Sequence, residues 1–133
     1  MKIYLAYKLS ERDPAEVRAK LEEIDAVVKN LGHETFIFMR DIQDWNPGNM
    51  DPKEIMNTAM KEMKKCDVIL SIIEVKEKGE GMLLESGFMK ALGKKLIVAS
   101  TPEGRGILLK GMADEVFEFK DLGEFEERLK EIC

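Results

Sequence analysis

The sequence predicts an α/β fold in which five parallel strands form one sheet with helices on both faces. Short apolar segments rich in β-branched and aromatic residues alternate with longer segments whose apolar residues recur every three or four positions. The short segments are almost continuously apolar, which is typical of parallel strands that are buried on both faces. Because crossovers between parallel strands are right-handed, the intervening helices are expected to cover both sides of the sheet.

The first half of the chain is predicted to contain two strands and two helices. An Asp-Pro pair, which supplies an N-cap and a first-turn proline, precedes each helix, and a glycine follows the first one. In order, the elements are a strand at 2–7, a helix from Asp13 to Gly32, a strand at 35–39, a long loop at 40–50 and a helix that begins at Asp51.

The second half is predicted to repeat the same alternation. In order, the elements are a strand at 67–75, a loop at 76–80, a helix at 81–93, a strand at 96–99, a loop at 100–106, a short helix at 107–112, a strand at 115–119 and a final helix at 122–132. Five strands therefore alternate with five helical segments. The doubly wound, flavodoxin-like strand order 2-1-3-4-5 is the order that we predict.

Length and composition indicate the class of protein. A chain of 133 residues with 44% hydrophobic residues is expected to fold as a single domain over residues 1–133. There is no long apolar run, and the sequence opens directly on a strand pattern, so we expect a soluble, cytoplasmic protein without a membrane partner. A formal net charge of −5 argues against nucleic acid as a partner. Cys66 and Cys133 have no pairing or metal-binding spacing, and we predict no metal or cofactor.

Glu85 stands out because it lies on the apolar side of a predicted helix. Its neighbours three and four positions away are Gly81, Met82, Phe88 and Met89, none of which is a polar partner. We expect it in the first turn of the helix after strand three, where apolar neighbours raise a carboxyl pKa and the helix N-terminus favours the anion. Two interpretations follow: a nucleophile or electrostatic partner at an anomeric carbon, or a carboxylate that caps its helix or reaches solvent.

Ligands of such sheets bind at the carboxyl ends of the strands. The loops expected there hold half of the glycines, and Arg105 lies between two of them in a segment that could present it to an anion. Trp45 could stack on a base or serve as an ordinary hydrophobic anchor. No GxGxxG follows the first strand and no GxxxxGK[ST] occurs, so dinucleotide-binding and P-loop sites of the usual kind are disfavoured.

The segment from Gly81 to Lys94 resembles a known family. Its residues fit most of a G-x-x-x-E-x-G-x-A-x-A-x-G-K block, with a methionine at the first alanine position. This block is similar to that of the nucleoside 2-deoxyribosyltransferases and the related 2′-deoxynucleoside 5′-phosphate N-hydrolases. The resemblance implies cleavage or transfer at the N-glycosidic bond of a small-molecule nucleoside or nucleotide, with Glu85 as the nucleophile that attacks C1′. It also implies a homodimer or a higher homo-oligomer.

The sequence departs from that family at several polar positions. The family commonly has Asp or Ser where this chain has Gly79, an Asp where it has Ala59, and a polar residue, contributed to the neighbouring subunit, where it has Gly106. Protonation of the leaving base would then need another acid, and Asp41 and Asp44 are the candidates.

Residues of the loops around Glu85 are the expected substrate contacts, and the phosphate of a nucleotide would bind to the polar or charged ones among them. The predicted contacts are Tyr7, Lys8, Ser10, Trp45, Gly79, Gly81 and Arg105, of which Lys8, Ser10 and Arg105 are the possible phosphate contacts.

Two alternatives stay open. Residues 3–7 with the charged loop after them, and Arg40-Asp41 leading to Pro47-Gly48, are similar to the first two boxes of Toll/interleukin-1-receptor domains, some of which cleave NAD with a helix glutamate. The other alternative is a non-catalytic nucleotide-binding or interaction domain of the same fold. Base release from deoxynucleotides or from NAD distinguishes the two enzymatic readings.

Overall fold

A computed structural model describes residues 1–8, 12–48, 50–74 and 79–133 of the chain. Within these ranges strands and helices alternate, and one short helix is added to the five that the sequence predicts. The elements are β1 (Lys2–Tyr7), α1 (Pro14–Asn30), β2 (Glu34–Phe36), α2 (Phe38–Asp41), α3 (Pro52–Met63), β3 (Val68–Ile73), α4 (Glu80–Ala91), β4 (Lys95–Ser100), α5 (Ile107–Met112), β5 (Glu115–Glu118) and α6 (Leu122–Ile132).

The five strands form one parallel sheet in the order β2-β1-β3-β4-β5, which confirms the predicted fold class and strand order. Strand β1 lies between β2 and β3, and its Tyr4 is in register with Phe36 on one side and Ile69 on the other. The strand order reverses direction between β1 and β3. Ligands of doubly wound sheets bind at the carboxyl ends of such a pair of strands.

Two hydrophobic cores lie on the two faces of the sheet. Helices α1 and α6 bury one apolar stripe each against the first face, where Leu21 and Phe125 are almost inaccessible to solvent. Helices α3, α4 and α5 cover the second face, where Met63 and Met89 are fully buried. None of the described helices is long and apolar enough to cross a membrane.

The second strand is shorter than predicted because the chain turns into α2. The sequence predicts a strand over 35–39, but the strand ends at Phe36 and helical structure starts at Phe38. The Asp41 carboxylate accepts a hydrogen bond of 2.9 Å from the backbone amide of Ile37, and the Asp41 amide donates to the Ile37 carbonyl at 2.8 Å. These local hydrogen bonds stabilise the turn more than the β-propensity of the segment favours a strand. Hydrogen bonds from short polar side chains to the nearby backbone often have this effect at turns.

The ends of the elements follow the sequence signals with one exception. Asp13 accepts a hydrogen bond from the Ala15 amide and so caps α1, and Gly32 after that helix has the left-handed conformation predicted for a stop (φ 92°). Asp51 stands at the N-cap position of α3, but its side chain makes no capping hydrogen bond. Lys94 donates hydrogen bonds to the carbonyl of Met63, the last residue of α3, and to the carbonyls of Lys64 and Cys66 just after it.

Candidate active site

A cleft of about 400 Å³ opens at the carboxyl edge of the sheet, where the end of β1 meets the start of α4 and the side of α3. Its walls are mostly apolar, and the polar groups that border it come from β1 and from the first two turns of α4. The lining residues are Tyr7, Lys8, Phe38, Pro52, Ile55, Met56, Ala59, Gly79, Glu80, Gly81, Met82, Leu84 and Glu85.

Glu85 lies in the second turn of α4, since the helix begins at Glu80, and not in the first turn as the sequence predicts. Its side chain is directed across the helix–sheet interface, where the Tyr4 hydroxyl in the middle of β1 donates a short hydrogen bond to Oε2. Glu85 therefore neither caps its own helix nor extends freely into solvent. It lies between the cleft and a small internal cavity of about 30 Å³ that Tyr4, Leu21 and Met39 help to line.

Burial decides the protonation of Glu85. Removal of the carboxyl from water raises its pKa to about 7, while the Tyr4 hydrogen bond acts in the opposite direction. The same surroundings raise the pKa of Tyr4 far above its usual range, first through burial and then through the charge of Glu85. Tyr4 therefore stays a hydrogen-bond donor throughout the physiological range. A carboxyl with a pKa of about 7 can be a nucleophile at neutral pH because an appreciable fraction is ionised.

A second polar contact between α4 and the sheet lies directly beside Glu85. The Ser86 hydroxyl is 2.7 Å from the hydroxyl of Ser71 in β3, and both side chains are fully buried. A buried hydroxyl without a partner is costly, so this pair favours one rotation and height of α4 over the sheet. The contact holds the helix turn that carries Glu85.

Four of the predicted substrate contacts surround this carboxylate. Tyr7 is the last residue of β1 and Lys8 follows it, while Gly79 at the N-cap position and Gly81 in the first turn of α4 lie on the opposite side of the cleft. A Cβ atom on Gly79 would lie 3.4 Å from Cβ of Lys8 and 3.3 Å from Cε of Met82, so the glycine allows the two segments to approach closely. Burial, assisted by the neighbouring Glu74, raises the pKa of the Tyr7 hydroxyl to about 12.

The two predicted acids do not border the cleft. Asp41 pairs with Arg40, with Nε and Oδ1 2.9 Å apart, and it lines a separate depression near His33. Arg40 also contacts Asp25, so this network ties α2 to α1. Asp44 is exposed in the following loop with a positive φ of 49°. Neither carboxylate is brought together with Glu85.

The remaining predicted contacts are dispersed. Trp45 packs against the core on the α1 side of the sheet, and the Arg18 guanidinium carbon lies 5.0 Å from its ring centroid. Arg105 is exposed and borders a neighbouring groove between α4 and α5, not the cleft itself. Ser10 lies outside the described residues.

The glycines around Arg105 are explained by packing. A Cβ on Gly104 would lie 2.4 Å from the Ser100 hydroxyl and 2.9 Å from the Ile73 carbonyl, and one on Gly106 would lie 2.9 Å from Cδ1 of Ile73. This loop therefore passes against the ends of β3 and β4. Gly104 is required for that close approach because its Cβ would meet backbone, whereas at Gly106 the end of the Ile73 side chain could shift.

A family model described as nucleoside 2-deoxyribosyltransferase matches residues 3–121 of the chain, which include the whole cleft. The chain belongs to the nucleoside 2-deoxyribosyltransferase family. This finding confirms the resemblance seen in the sequence. No curated protein matches the chain at a significant level of sequence similarity.

Solved structures of other proteins share the fold of this nucleoside 2-deoxyribosyltransferase family member. A CMP N-glycosidase, BcmB, from Clostridium botulinum superposes with a TM-score of 0.72 at 16% identity, over 100% of both chains. A 2-deoxyribosyltransferase from Bacillus psychrosaccharolyticus gives a TM-score of 0.71 at 21% identity, over 95% of this chain and 90% of that one. A conserved protein from Enterococcus faecalis gives 0.75 at 16% identity, over 98% and 95%.

Within this family member, Tyr4 is the site residue that sequence reasoning missed. A tyrosine in an apolar strand is explained by β-propensity alone, and its partner is 81 positions away in the chain. The available signal was that Tyr4 places a hydroxyl between two apolar strand residues and that Glu85 has no polar partner three or four positions away. Among the described residues, no cluster of three or more His, Cys, Asp or Glu side chains could hold a metal ion.

Proposed function

We propose that this chain cleaves or transfers the N-glycosidic bond of a nucleoside or a nucleoside 5′-monophosphate, with Glu85 as the nucleophile. The observation that carries the proposal is the half-buried Glu85 carboxyl at the edge of an apolar cleft, with its Oε2 bound by the Tyr4 hydroxyl. Family membership and the shared fold of a CMP N-glycosidase and a 2-deoxyribosyltransferase support the same chemistry.

In the proposed reaction an oxygen of ionised Glu85 attacks C1′ of the sugar. The bond between C1′ and the base nitrogen breaks, its electron pair leaves with the base, and a glycosyl ester forms on Glu85. Water or a second base then attacks C1′ and releases the carboxylate. The Tyr4 hydroxyl donates a hydrogen bond to Oε2. The other carboxylate oxygen is therefore the proposed attacking atom.

Lys8 is the proposed contact for a 5′-phosphate, because it follows β1 and lines the cleft. Arg105 borders the adjacent groove and would reach a phosphate only at the rim. Ser10 stays a prediction from the sequence, as does the cytoplasmic location. Binding of the sugar and the base between α3 and α4 would position C1′ against Glu85.

The test measures, by chromatography, the free base that is released from deoxynucleosides, nucleoside monophosphates and NAD. We expect the wild type to release base from at least one nucleoside or nucleotide and Glu85→Ala to be at least about 10³-fold slower, as expected when a covalent nucleophile is removed. Glu127→Gln, which changes an exposed carboxylate on α6, is the matched control and should keep full activity.

Two results would contradict the proposal. One is the absence of base release from every compound, and the other is a Glu85→Ala variant as active as the wild type. Circular dichroism of each variant shows whether the fold is retained. Release of nicotinamide from NAD, with no base released from any nucleoside or nucleoside 5′-monophosphate including nicotinamide mononucleotide, would favour the NAD-cleaving alternative. A nucleotide that copurifies without turnover would favour a binding domain.

We also propose that the chain forms a homo-oligomer through the groove between α4 and α5. Ile107 and Leu108 are each 86% exposed there, and Leu83 on α4 borders the same groove of about 440 Å³. Exposed apolar residues that are contiguous favour association, and the groove adjoins the Glu85 cleft at Gly79 and Met82. A second copy seated there would close the side of the cleft.

A further inference from the structure

The groups that could protonate a leaving base are scarce near Glu85. Among the described residues that line the cleft, Glu80 and Glu85 are the only carboxylic acids, and Ala59 and the apolar side chains of α3 form the facing wall. Glu80 is exposed in the first turn of α4. Asp41 is held in its ion pair with Arg40 outside the cleft.

The hydroxyl and ammonium groups of the cleft either interact with other groups of the protein or are poor acids. The Tyr4 hydroxyl donates its hydrogen bond to Glu85, and burial raises the pKa of Tyr7, which therefore holds its proton more tightly than a free phenol. Lys8 interacts with another group of the protein. A neutral base that departs from C1′ leaves as an anion unless an acid protonates it, and the described cleft provides no well-placed acid for that step.

The electrostatics of the cleft favour a positively charged ring instead. Glu85 places a carboxylate beside apolar walls, where an ionic attraction is screened less than in water. Phe38 adds an aromatic side chain to the wall, and aromatic faces attract cations. A base whose ring nitrogen is already quaternised leaves as a neutral molecule and needs no acid.

We propose that the preferred substrates are N-glycosides whose heteroaromatic ring carries a positive charge, such as those of nicotinamide or of an N7-alkylated purine. This inference rests on the proposed function, because it assumes that Glu85 attacks C1′. In the first step the Glu85 oxygen forms a bond to C1′, the glycosidic bond breaks, and its electron pair neutralises the ring. In the second step water attacks C1′, the sugar gains a hydroxyl, one proton goes to solvent and Glu85 is again a carboxylate.

The experiment compares pairs of compounds that have nearly the same shape but different charge. Nicotinamide mononucleotide is paired with its neutral dihydro form, and 7-methylguanosine 5′-monophosphate with its neutral 7-deaza-7-methyl analogue. For each compound kcat/KM of the wild type is divided by the rate constant of spontaneous hydrolysis at the same pH. This ratio removes the greater intrinsic lability of the charged compounds. Ordinary deoxynucleoside monophosphates are measured in parallel, and Glu85→Gln is tested on all of them.

We expect the ratio to be at least about 100-fold higher for the charged member of at least one pair, because a neutral base departs as an anion beside the Glu85 carboxylate in an apolar cleft, whereas the charged ring departs as a neutral molecule. The pair that shows the effect tells which ring is preferred. Equal ratios within both pairs, or faster release from neutral deoxynucleotides, would overturn this inference while the proposed function stands. No base release from any compound would overturn both.

Discussion

Glu85 and Tyr4 determine the chemistry that is available at the cleft. Burial holds the pKa of Glu85 at about 7, and the Tyr4 hydroxyl lowers it from a still higher value by donating to the ionised form. The pair therefore balances two requirements. Desolvation makes the carboxylate reactive, and the hydrogen bond keeps enough of it ionised at neutral pH.

Replacement of Tyr4 by phenylalanine tests this balance. Loss of the hydroxyl removes a hydrogen bond to the ionised form, so the pKa of Glu85 should rise by roughly one unit. Because the ionised form is the proposed nucleophile, the rising limb of kcat/KM against pH should move to higher pH, and Tyr4→Phe should be roughly fivefold slower at pH 7. Activity of the two proteins should converge at pH 9.

The pH profile separates this effect from simple damage to the fold. A variant that had only lost structure would be slower by the same factor at every pH. An unchanged or lower midpoint in Tyr4→Phe would show that the hydroxyl does not stabilise ionised Glu85.

Glu85 could be found from the sequence because a carboxylate breaks the apolar stripe of its helix. The pKa of Glu85 could not be predicted from the sequence, since it depends on the balance between burial and a hydrogen bond from Tyr4, which lies 81 positions away in the chain. Asp41 illustrates the opposite case. Its position in a loop near the expected edge made it a candidate acid, but its side chain closes the turn at Ile37 and pairs with Arg40.

At the scale of elements, the loop between β4 and α5 is fixed by how closely its glycines approach the sheet. Gly104 has no room for a side chain, because a Cβ there would lie 2.9 Å from the backbone oxygen of Ile73. We expect Gly104→Ala to lower the free energy of unfolding by roughly 1–3 kcal/mol, as overpacking does. Urea denaturation followed by circular dichroism measures this change.

Gly111→Ala is the matched control for that substitution. Gly111 lies within α5, nothing is within 4 Å of the place that its Cβ would take, and alanine should stabilise the helix by roughly 0.5–1 kcal/mol. Equal stability of the two variants would show that the close approach of this loop to the sheet does not require a glycine at position 104.

Most elements could be predicted because hydrophobic periodicity and end signals agree. The exception is the segment of β2 and α2, where the apolar pattern does not distinguish a strand from a short helix. Phe38 and Met39 are buried in the two cores as residues of a helix, and a strand could have buried them equally well. The hydrogen bonds of the Asp41 side chain decide between the two conformations, and they are not encoded in an apolar pattern.

At the scale of the whole molecule, the strand order places the end of β1 and the start of α4 at one edge of the sheet. This arrangement could be predicted, because parallel strands joined by helices allow few topologies. The surface between α4 and α5 could not be predicted from sequence, since Ile107 and Leu108 fit the pattern of buried helix residues and are instead exposed.

Replacement of Ile107 and Leu108 by glutamate tests the proposed oligomer. We expect light scattering to give the wild type a mass of at least twice 15.2 kDa, and the double variant a mass of 15.2 kDa with its circular dichroism retained. Leu92→Glu, an exposed leucine outside the groove, is the control and should keep the wild-type mass. A wild type that is monomeric, or a double variant that still associates, would contradict the proposal.

Formation of a glycosyl ester on Glu85 is the central claim of the proposed mechanism, and intact-protein mass spectrometry tests it most directly. Fluorine at C2′ of the nucleoside or nucleotide destabilises the positive charge that develops at C1′ in both steps. With a good leaving group the first step stays faster than the second, so the ester should accumulate. We predict that the wild type and Glu127→Gln gain the mass of one fluorinated sugar, that peptide mapping locates it on Glu85, and that Glu85→Gln gains nothing. An adduct on another residue, or base release by the wild type without any adduct at Glu85, would contradict the account.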